Sequence, residues 1–471
     1  MVFSSHLFVF VFLPLLIVLY FLIPARFRHL RNNLLLLFSL VFYGWSRPKY
    51  LLILFASILI NWLAGVLISR KQGQEGKKYR TIILIITVAM NCLIFGYFKY
   101  TDFVIQNLNR FLHTQIHPRN IILPIGISFY TFQGLSYVID VYRGKADYLK
   151  NPLRVALYIS LFPQLVAGPI VRFGTVAEQI EDRHENLNDA ADGAQRFILG
   201  LAKKIILADT FGIIANGAFG SSALTVSHAW LGAVAYAFQI YFDFSGYSDM
   251  AIGLGRIFGF GFPENFNYPY ISQSVTEFWR RWHMTLSTWF RDYVYIPLGG
   301  NRCGKVRHIL NIIIVWALTG LWHGASWNFV LWGLYYCVWL IIDKYVVDRF
   351  RSHIPKPAGM LLTFLIVLFG WVLFRADNLS KAIGYIGTMF GAGGTGMGGM
   401  DLIRYTRNYW LFWIVGIIAV TPLPAKLAKK MERKPSAGFL IGKYIFLLLV
   451  FGLSVLYIIG STYNAFIYFQ F

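Results

Sequence analysis

The stretch Leu321-Trp322-His323-Gly324-Ala325-Ser326-Trp327-Asn328 decides how this chain is read. Residues 309–321 before it and 329–342 after it are nearly all apolar, so they read as two helices joined by a turn that carries one histidine. Arg302, Lys305 and Arg307 precede the pair, and Lys344, Arg349 and Arg351 follow it. Lysine and arginine collect in cytoplasmic loops, so the chain is expected to rise into the bilayer and return to the same side. Each arm is about 14 residues and climbs roughly 20 Å of a ~30 Å hydrocarbon core. His323 is thereby expected well inside the membrane, where an ionisable side chain marks a functional site by default. A neutral imidazole there is able to accept a proton, which suits a general base for a hydroxyl attacking a thioester. On pattern alone, hydrogen-bonded packing or a proton path fits a lone histidine equally.

The composition points the same way. The 471 residues are 57% hydrophobic and only 14% charged, whereas a soluble domain carries about 25% charged residues. The formal net charge of +22 raises nucleic acid as a partner. The basic residues, however, lie in short loops between apolar spans and form no stripe on a folded domain, so nucleic acid is excluded and membrane lipid is the expected surroundings. Cys92, Cys303 and Cys337 have no CxxC spacing, and neither a disulfide framework nor a metal site is expected.

Apolar spans are read at about 7–23, 33–46, 50–69, 81–98, 121–141, 153–170, 195–217, 229–258, 309–321, 325–342, 359–375, 408–421 and 440–460. A spanning helix needs about 20 apolar residues, so 33–46, 153–170 and the 309–342 pair are expected to be short, tilted or re-entrant. Backbone that stops at mid-depth is tolerated only in protein or beside a cavity, which predicts an enclosed chamber. Met1–His6 has no basic residue, while Arg26, Arg28 and Arg31 follow the first apolar core. The first segment is therefore expected to be an anchor with its N-terminus outside the cytoplasm. Basic loops at 26–31, 70–80, 143–154, 302–308, 344–357 and 424–434 alternate accordingly, with Arg47 and Lys49 as exceptions. Gly391–Met400 is glycine-rich and reads as an outer loop rather than a phosphate cradle.

A second unusual stretch runs from Thr276 to Asp292. At helical spacing Phe278, Trp282, Leu286 and Trp289 share one face, and Glu277 and Arg281 form an i, i+4 pair on another. Tryptophan beside arginine suits the headgroup level, so one helix lying along the cytoplasmic interface is expected over 276–292. His283 lies beside Trp279 and not on the arginine face. Asp243 and Asp249 sit inside the span at 229–258. Six residues apart, they face different ways and are expected to pair with arginine or to line an aqueous cavity; a proton relay is the sharper alternative. Pro124–Phe129, Phe162–Arg172 and Trp371–Ala376 also put helix breakers or polar groups among apolar residues. They suit a funnel wall or plain packing.

At these residues the chain resembles the membrane-bound O-acyltransferase (MBOAT) family, in the bacterial branch that O-acetylates exported polysaccharides of the alginate type. The resemblance runs over nearly the whole chain and is sharpest in WRRWHMTLSTWFRDYVYIPLGGNR at 279–302 and GLWHGASWNFVLWG at 320–333. It implies one all-α polytopic domain over 1–471, a ring of about eleven spanning helices with re-entrant segments around a central tunnel. It implies that His323 is the catalytic histidine. His283 matches a second polar position, histidine in the bacterial branch and asparagine in many eukaryotic members. Near it, Arg280, Arg281, Trp279 and Trp282 are expected to meet the acyl donor. That donor is acetyl-CoA or another acyl thioester, such as one on an acyl carrier protein, taken as co-substrate with no bound cofactor. The resemblance further implies the bacterial plasma membrane and an extracytoplasmic partner, either an SGNH-type acetyltransferase or a small membrane protein. Teichoic-acid D-alanylation proteins are cousins, so D-alanyl or another acyl group is the alternative cargo. A transporter or export channel without chemistry is the alternative from another class.

Overall fold

Long apolar runs free of proline, punctuated by Gly, Pro and basic clusters, fold as helices that close their own backbone hydrogen bonds. The computed structural model describes residues 1–71, 76–393, 396–433, 435–460 and 466–467, for Asp401 the backbone alone. Parts of four sequence features fall outside those residues: the 70–80 loop at 72–75, the glycine-rich stretch at 394–395, the 424–434 loop at 434, and the last residues of the family resemblance at 461–465 and 468–471. The described residues are predominantly helical and contain no strand. Among the described residues six helices are long and apolar enough to cross a membrane, or seven if the pair Trp410–Ala419 and Leu423–Glu432, bent by 65°, counts as one span.

The chain divides into two compact units, residues 1–197 with 248–263 and residues 198–247 with 264–471. In the first unit the helices Leu51–Arg70, Lys77–Leu112 and Ile127–Tyr142 follow the expected spans. Asn61 and Asn91 exchange amide hydrogen bonds at 3.2 Å between the first two, so neither polar group is left unmet among apolar neighbours. The expected span at 153–170 is short, as the breakers suggest. Pro152–Ser160 ends before a single turn, Phe162–Leu165, and Ser39 Oγ accepts from the freed Phe162 N at 3.1 Å. Glu185 is ringed by Arg28, Arg31 and Arg183. Burial pushes its carboxyl up, but the Arg28 and Tyr20 hydrogen bonds and the surrounding guanidinium charge outweigh this and hold it below its ordinary value. Asp249 pairs with Arg196 at 2.8 Å, the structural role expected of it.

In the second unit the helix Lys305–His323 has 19 residues and Trp327–Ile342 has 16, continued by a π-turn at Asp343–Val347. The arms are therefore longer than the apolar runs suggested. The rising helix takes in the basic segment at its foot and, at about 28 Å, is close to a full crossing. The two arms pack closely because Gly320 and Gly333 face the neighbouring backbone. A Cβ on Gly320 would overlap the Phe329 carbonyl oxygen, and one on Gly333 that of Trp316.

The segment 264–304 is fastened to the feet of this hairpin. Asp343 accepts from Thr276 N at 3.0 Å and from the Thr276 hydroxyl, and it pairs with Arg351. His308 bridges the hydroxyls of Tyr345 and Tyr295 at 2.7 and 2.9 Å, and Asn311 donates to the Gly300 carbonyl at 3.1 Å. The Glu277–Arg281 pair forms at 2.8 Å, as its spacing predicts.

One expectation fails here. Residues 276–292 are not a single helix. Val275–Arg281 ends at Trp282, His283 takes a left-handed conformation with φ 43°, and Met284–Phe290 restarts beyond it. Nor do the tryptophans face a headgroup layer. Trp282 is packed against Phe266, Phe278 and Trp371 at 5.0, 5.6 and 4.7 Å, and Trp279 against Trp316 and Tyr336 at 4.7 Å each. The four residues expected on one face are all buried, in protein.

Candidate functional site

His323 is the last residue of its helix. Gly324 follows in an extended conformation, and a Cβ there would overlap the Phe329 ring, so only glycine lets the chain turn this tightly. The imidazole is 4% exposed as a residue. Trp322, Trp332 and Phe374 stand around it with ring centroids at 4.9, 4.9 and 5.4 Å, each edge to face. An aromatic cage of this kind fixes the ring's plane while adding no charge. Asn328, past the turn, donates to the Ala376 carbonyl at 2.7 Å and ties the turn to the end of the helix Lys356–Arg375.

His283 is 1% exposed and lies outside the candidate spans. Phe244 packs edge-on against it at 4.6 Å, and Trp322 lies 6.1 Å away, so the Trp322 ring neighbours both histidines. Burial pushes the His283 imidazole down to about 3, so it is neutral at any working pH. Its Nδ1 is 3.0 Å from Asn265 Oδ1. That oxygen already accepts from Thr285 Oγ1 at 2.9 Å and from Thr285 N at 3.3 Å, which assigns it as the amide's carbonyl end. Nδ1 must then carry the proton and Nε2 the lone pair. The backbone supports the same register, since Met284 N donates to the Asn265 carbonyl at 2.9 Å.

Beside His323 lies a cavity of about 990 Å³. Phe374, one wall of the histidine's cage, lines it, as do Ser326 and Asn328 from the turn. Its charged lining comprises Arg375, Asp377 and Lys204, which meets Asp209 at 2.7 Å and Asp243 at 2.9 Å. Asp243 thus both pairs, with a lysine rather than the expected arginine, and lines a cavity; its second oxygen accepts from Ile467 N at 2.8 Å.

Of the expected donor-binding residues, Arg280 is exposed. Arg281 is half-buried and donates to Glu277 and to the Asn267 carbonyl, while Trp279 and Trp282 are buried in the packing already described. Asn265 and Lys204 are additions that reading the sequence missed, whereas Phe374 lies in the stretch Trp371–Ala376 that was expected at a funnel wall or in packing. Lys204 carried a usable signal, a charged Lys203-Lys204 pair in the apolar run 195–217. Asn265 carried none, since it stands in a Pro-Glu-Asn loop that reads as a turn.

The family model described as MBOAT, membrane-bound O-acyltransferase family, matches residues 144–379, a range holding every residue just named except Ile467. A probable alginate O-acetylase of Azotobacter vinelandii is 40% identical over 504 aligned residues, covering 100% of both chains. The peptidoglycan O-acetyltransferase of Helicobacter pylori is 36% identical, over 84% of this chain and 81% of its own. The teichoic acid D-alanyltransferase of Bacillus subtilis is 30% identical, over 56% of this chain and 71% of its own.

Proposed function

This chain belongs to the membrane-bound O-acyltransferase family and is a multi-pass membrane O-acyltransferase, and we propose that it passes an acetyl group from a cytoplasmic thioester across the membrane to a hydroxyl of an extracytoplasmic polysaccharide, directly or through a partner. The observation that carries this reading is a caged, buried histidine beside a polar cavity, with a second buried histidine sharing its tryptophan neighbour. His323 is the general base. It takes the proton of the acceptor hydroxyl as the oxygen attacks the thioester carbonyl; the C–S bond breaks, and the proton leaves with the thiol. His283 positions the thioester or steadies the developing oxyanion. Arg280 and Arg281 meet the donor's phosphates, for which the guanidinium fork is suited, while Trp279 and Trp282 hold the segment that carries them.

The donor is acetyl-CoA or an acyl carrier protein thioester, and the partner is an SGNH-type transferase or a small membrane protein outside the cytoplasm. The setting is a bacterial inner membrane, with the chain as one domain whose eleven or so spanning segments ring a tunnel. An alginate-like or other cell-surface polymer is the acceptor, in keeping with the names of relatives that match over four fifths of the chain or more. D-alanyl transfer is the lesser reading, since its relatives match only about half of the chain.

The test is acetyl transfer by purified wild-type protein and His323→Ala, given labelled acetyl-CoA. Loss of a general base costs roughly 10²–10⁴-fold. Activity above about one per cent in a variant that folds normally removes His323 from the role. Absence of any thioester turnover in the wild type, together with polymer movement across vesicles, replaces the enzyme with a channel.

A further inference from the structure

The helix Trp410–Ala419 carries no charge, and its Leu411, Ile414, Val415 and Ile418 are exposed, as apolar side chains facing lipid are. After a bend of 65° the chain continues as Leu423–Glu432, a helix of 10 residues with none buried. Leu423, Leu427 and Met431 recur at every fourth position and are all exposed, so they form one apolar stripe. Lys426, Lys429, Lys430 and, just past the end, Arg433 stand on the other side, exposed as well. Glu432, the lone acid of this helix, pairs with Lys443 of Ala437–Gly460 at 2.7 Å. Among the described residues the four other cations meet no carboxylate. So short a helix is marginal alone in water, and an apolar stripe with no protein packed on it must be covered by something else.

We propose that Leu423–Glu432 lies in the headgroup layer and binds anionic phospholipids, with its stripe toward the acyl chains and its four free cations among the phosphates. Three observations select lipid as the occupant. The stripe begins just after the exposed apolar face of Trp410–Ala419 ends, so the surface that faces lipid runs on into it. The bend turns the helix away from the direction of Trp410–Ala419 and toward the membrane plane. The cations flank the stripe on the same short helix, and that combination draws a helix to an anionic bilayer surface both by apolar burial and by charge. An acidic protein would take the cations and leave the stripe bare.

The experiment uses purified full-length protein lacking Cys92, Cys303 and Cys337, with a single cysteine at position 427 or 429 carrying an environment-sensitive fluorophore. The protein is reconstituted in phosphatidylcholine vesicles that contain phosphatidylglycerol as the anionic lipid. A neutral water-soluble quencher should reach the label at 429 and spare the one at 427. Spin-labelled phosphatidylglycerol should half-quench position 427 at an about fivefold lower mole fraction than spin-labelled phosphatidylcholine, the scale of one basic side chain at an anionic surface. Roughly 1 M salt should shrink that difference by screening. Lys426→Gln, Lys429→Gln, Lys430→Gln and Arg433→Gln together should erase the preference and leave position 427 shielded from water. Lys430→Gln with Arg433→Gln, the milder change should the full set fold poorly, should lower it part of the way. Equal quenching by the two lipids, a preference that survives the four substitutions, or equal access of the water-soluble quencher to 427 and 429 overturns the assignment. So does shielding of position 427 that appears only when an acidic carrier protein is added, which would make this face a protein-docking site.

Discussion

At the scale of single residues, His323 stands out because an ionisable side chain among apolar neighbours is costly, while His283 was singled out by its place beside Trp279 and by the family resemblance. What makes each one useful was not legible. The tautomer of His283 depends on Asn265, which lies 18 residues earlier and reaches Nδ1 only through the fold. Under the role proposed for His283, Asn265 is a positioning residue, and its loss has a signature that mere packing lacks. Asn265→Ala frees the imidazole to adopt either tautomer and should lower kcat/KM roughly ten- to a hundredfold, the range seen when a partner that orients a functional imidazole is removed. Asn265→Asp places a negative charge on Nδ1–H, favours the imidazolium and raises the His283 pKa from its low buried value of about 3. Below the raised value His283 is charged, so activity of that variant should fall on the acid side at a pH where the wild type is still level. A pH profile of Asn265→Asp that overlays the wild type would remove Asn265 from this role.

Among elements, the 276–292 segment shows how a correct pattern can accompany a wrong element. The apolar spacing identified Phe278, Trp282, Leu286 and Trp289 as the inward residues, and all four are buried. Periodicity records which side chains are buried; it does not record a single left-handed residue between two helical halves. His283, at φ 43°, occupies a region in which His and Asn are several-fold enriched among non-glycine residues. The MBOAT alternation of histidine and asparagine at this position then has a backbone reason as well as a chemical one. His283→Asn should keep the thermal stability of the wild type to within a few degrees and lose only what the imidazole supplies. His283→Val, β-branched and ill-suited to positive φ, should lose about 1–2 kcal/mol of stability besides. Equal stabilities for the Asn and Val variants would mean that the break does not depend on this residue. The hairpin arms teach the converse. Their apolar cores were read correctly, but the helix extends into the basic foot, because Lys305 and Arg307 are good helix formers whose charges reach outward.

At the scale of the whole molecule, the all-helical, multi-pass character was readable because every backbone group in a bilayer must be satisfied within its own segment, whereas the described residues hold six or seven candidate spans and not the eleven or so expected. The irregular pieces that frame the site were not readable, since they are fixed by long-range anchors such as Asp343 to Thr276 and His308 to its two tyrosines. Sidedness follows from charge. If the basic residues at 302–308, 344–357 and 424–434 face the cytoplasm, the hairpin leaves and returns to that side, and Lys356–Arg375 then carries the chain across. Ile296, 56% exposed, should therefore lie inside, and Met397, 79% exposed, outside. The assignment also fixes the direction of transfer, since it puts Arg280 and Arg281 on the side where a thioester donor is made and leaves the acceptor to approach from the other. Single cysteines at these two positions, in a background lacking Cys92, Cys303 and Cys337, decide the matter with a membrane-impermeant thiol reagent. Position 397 should react in intact cells, and position 296 only after the membrane is opened. Labelling of position 296 from outside would reverse the topology and, with it, the proposed route from cytoplasmic donor to extracytoplasmic acceptor.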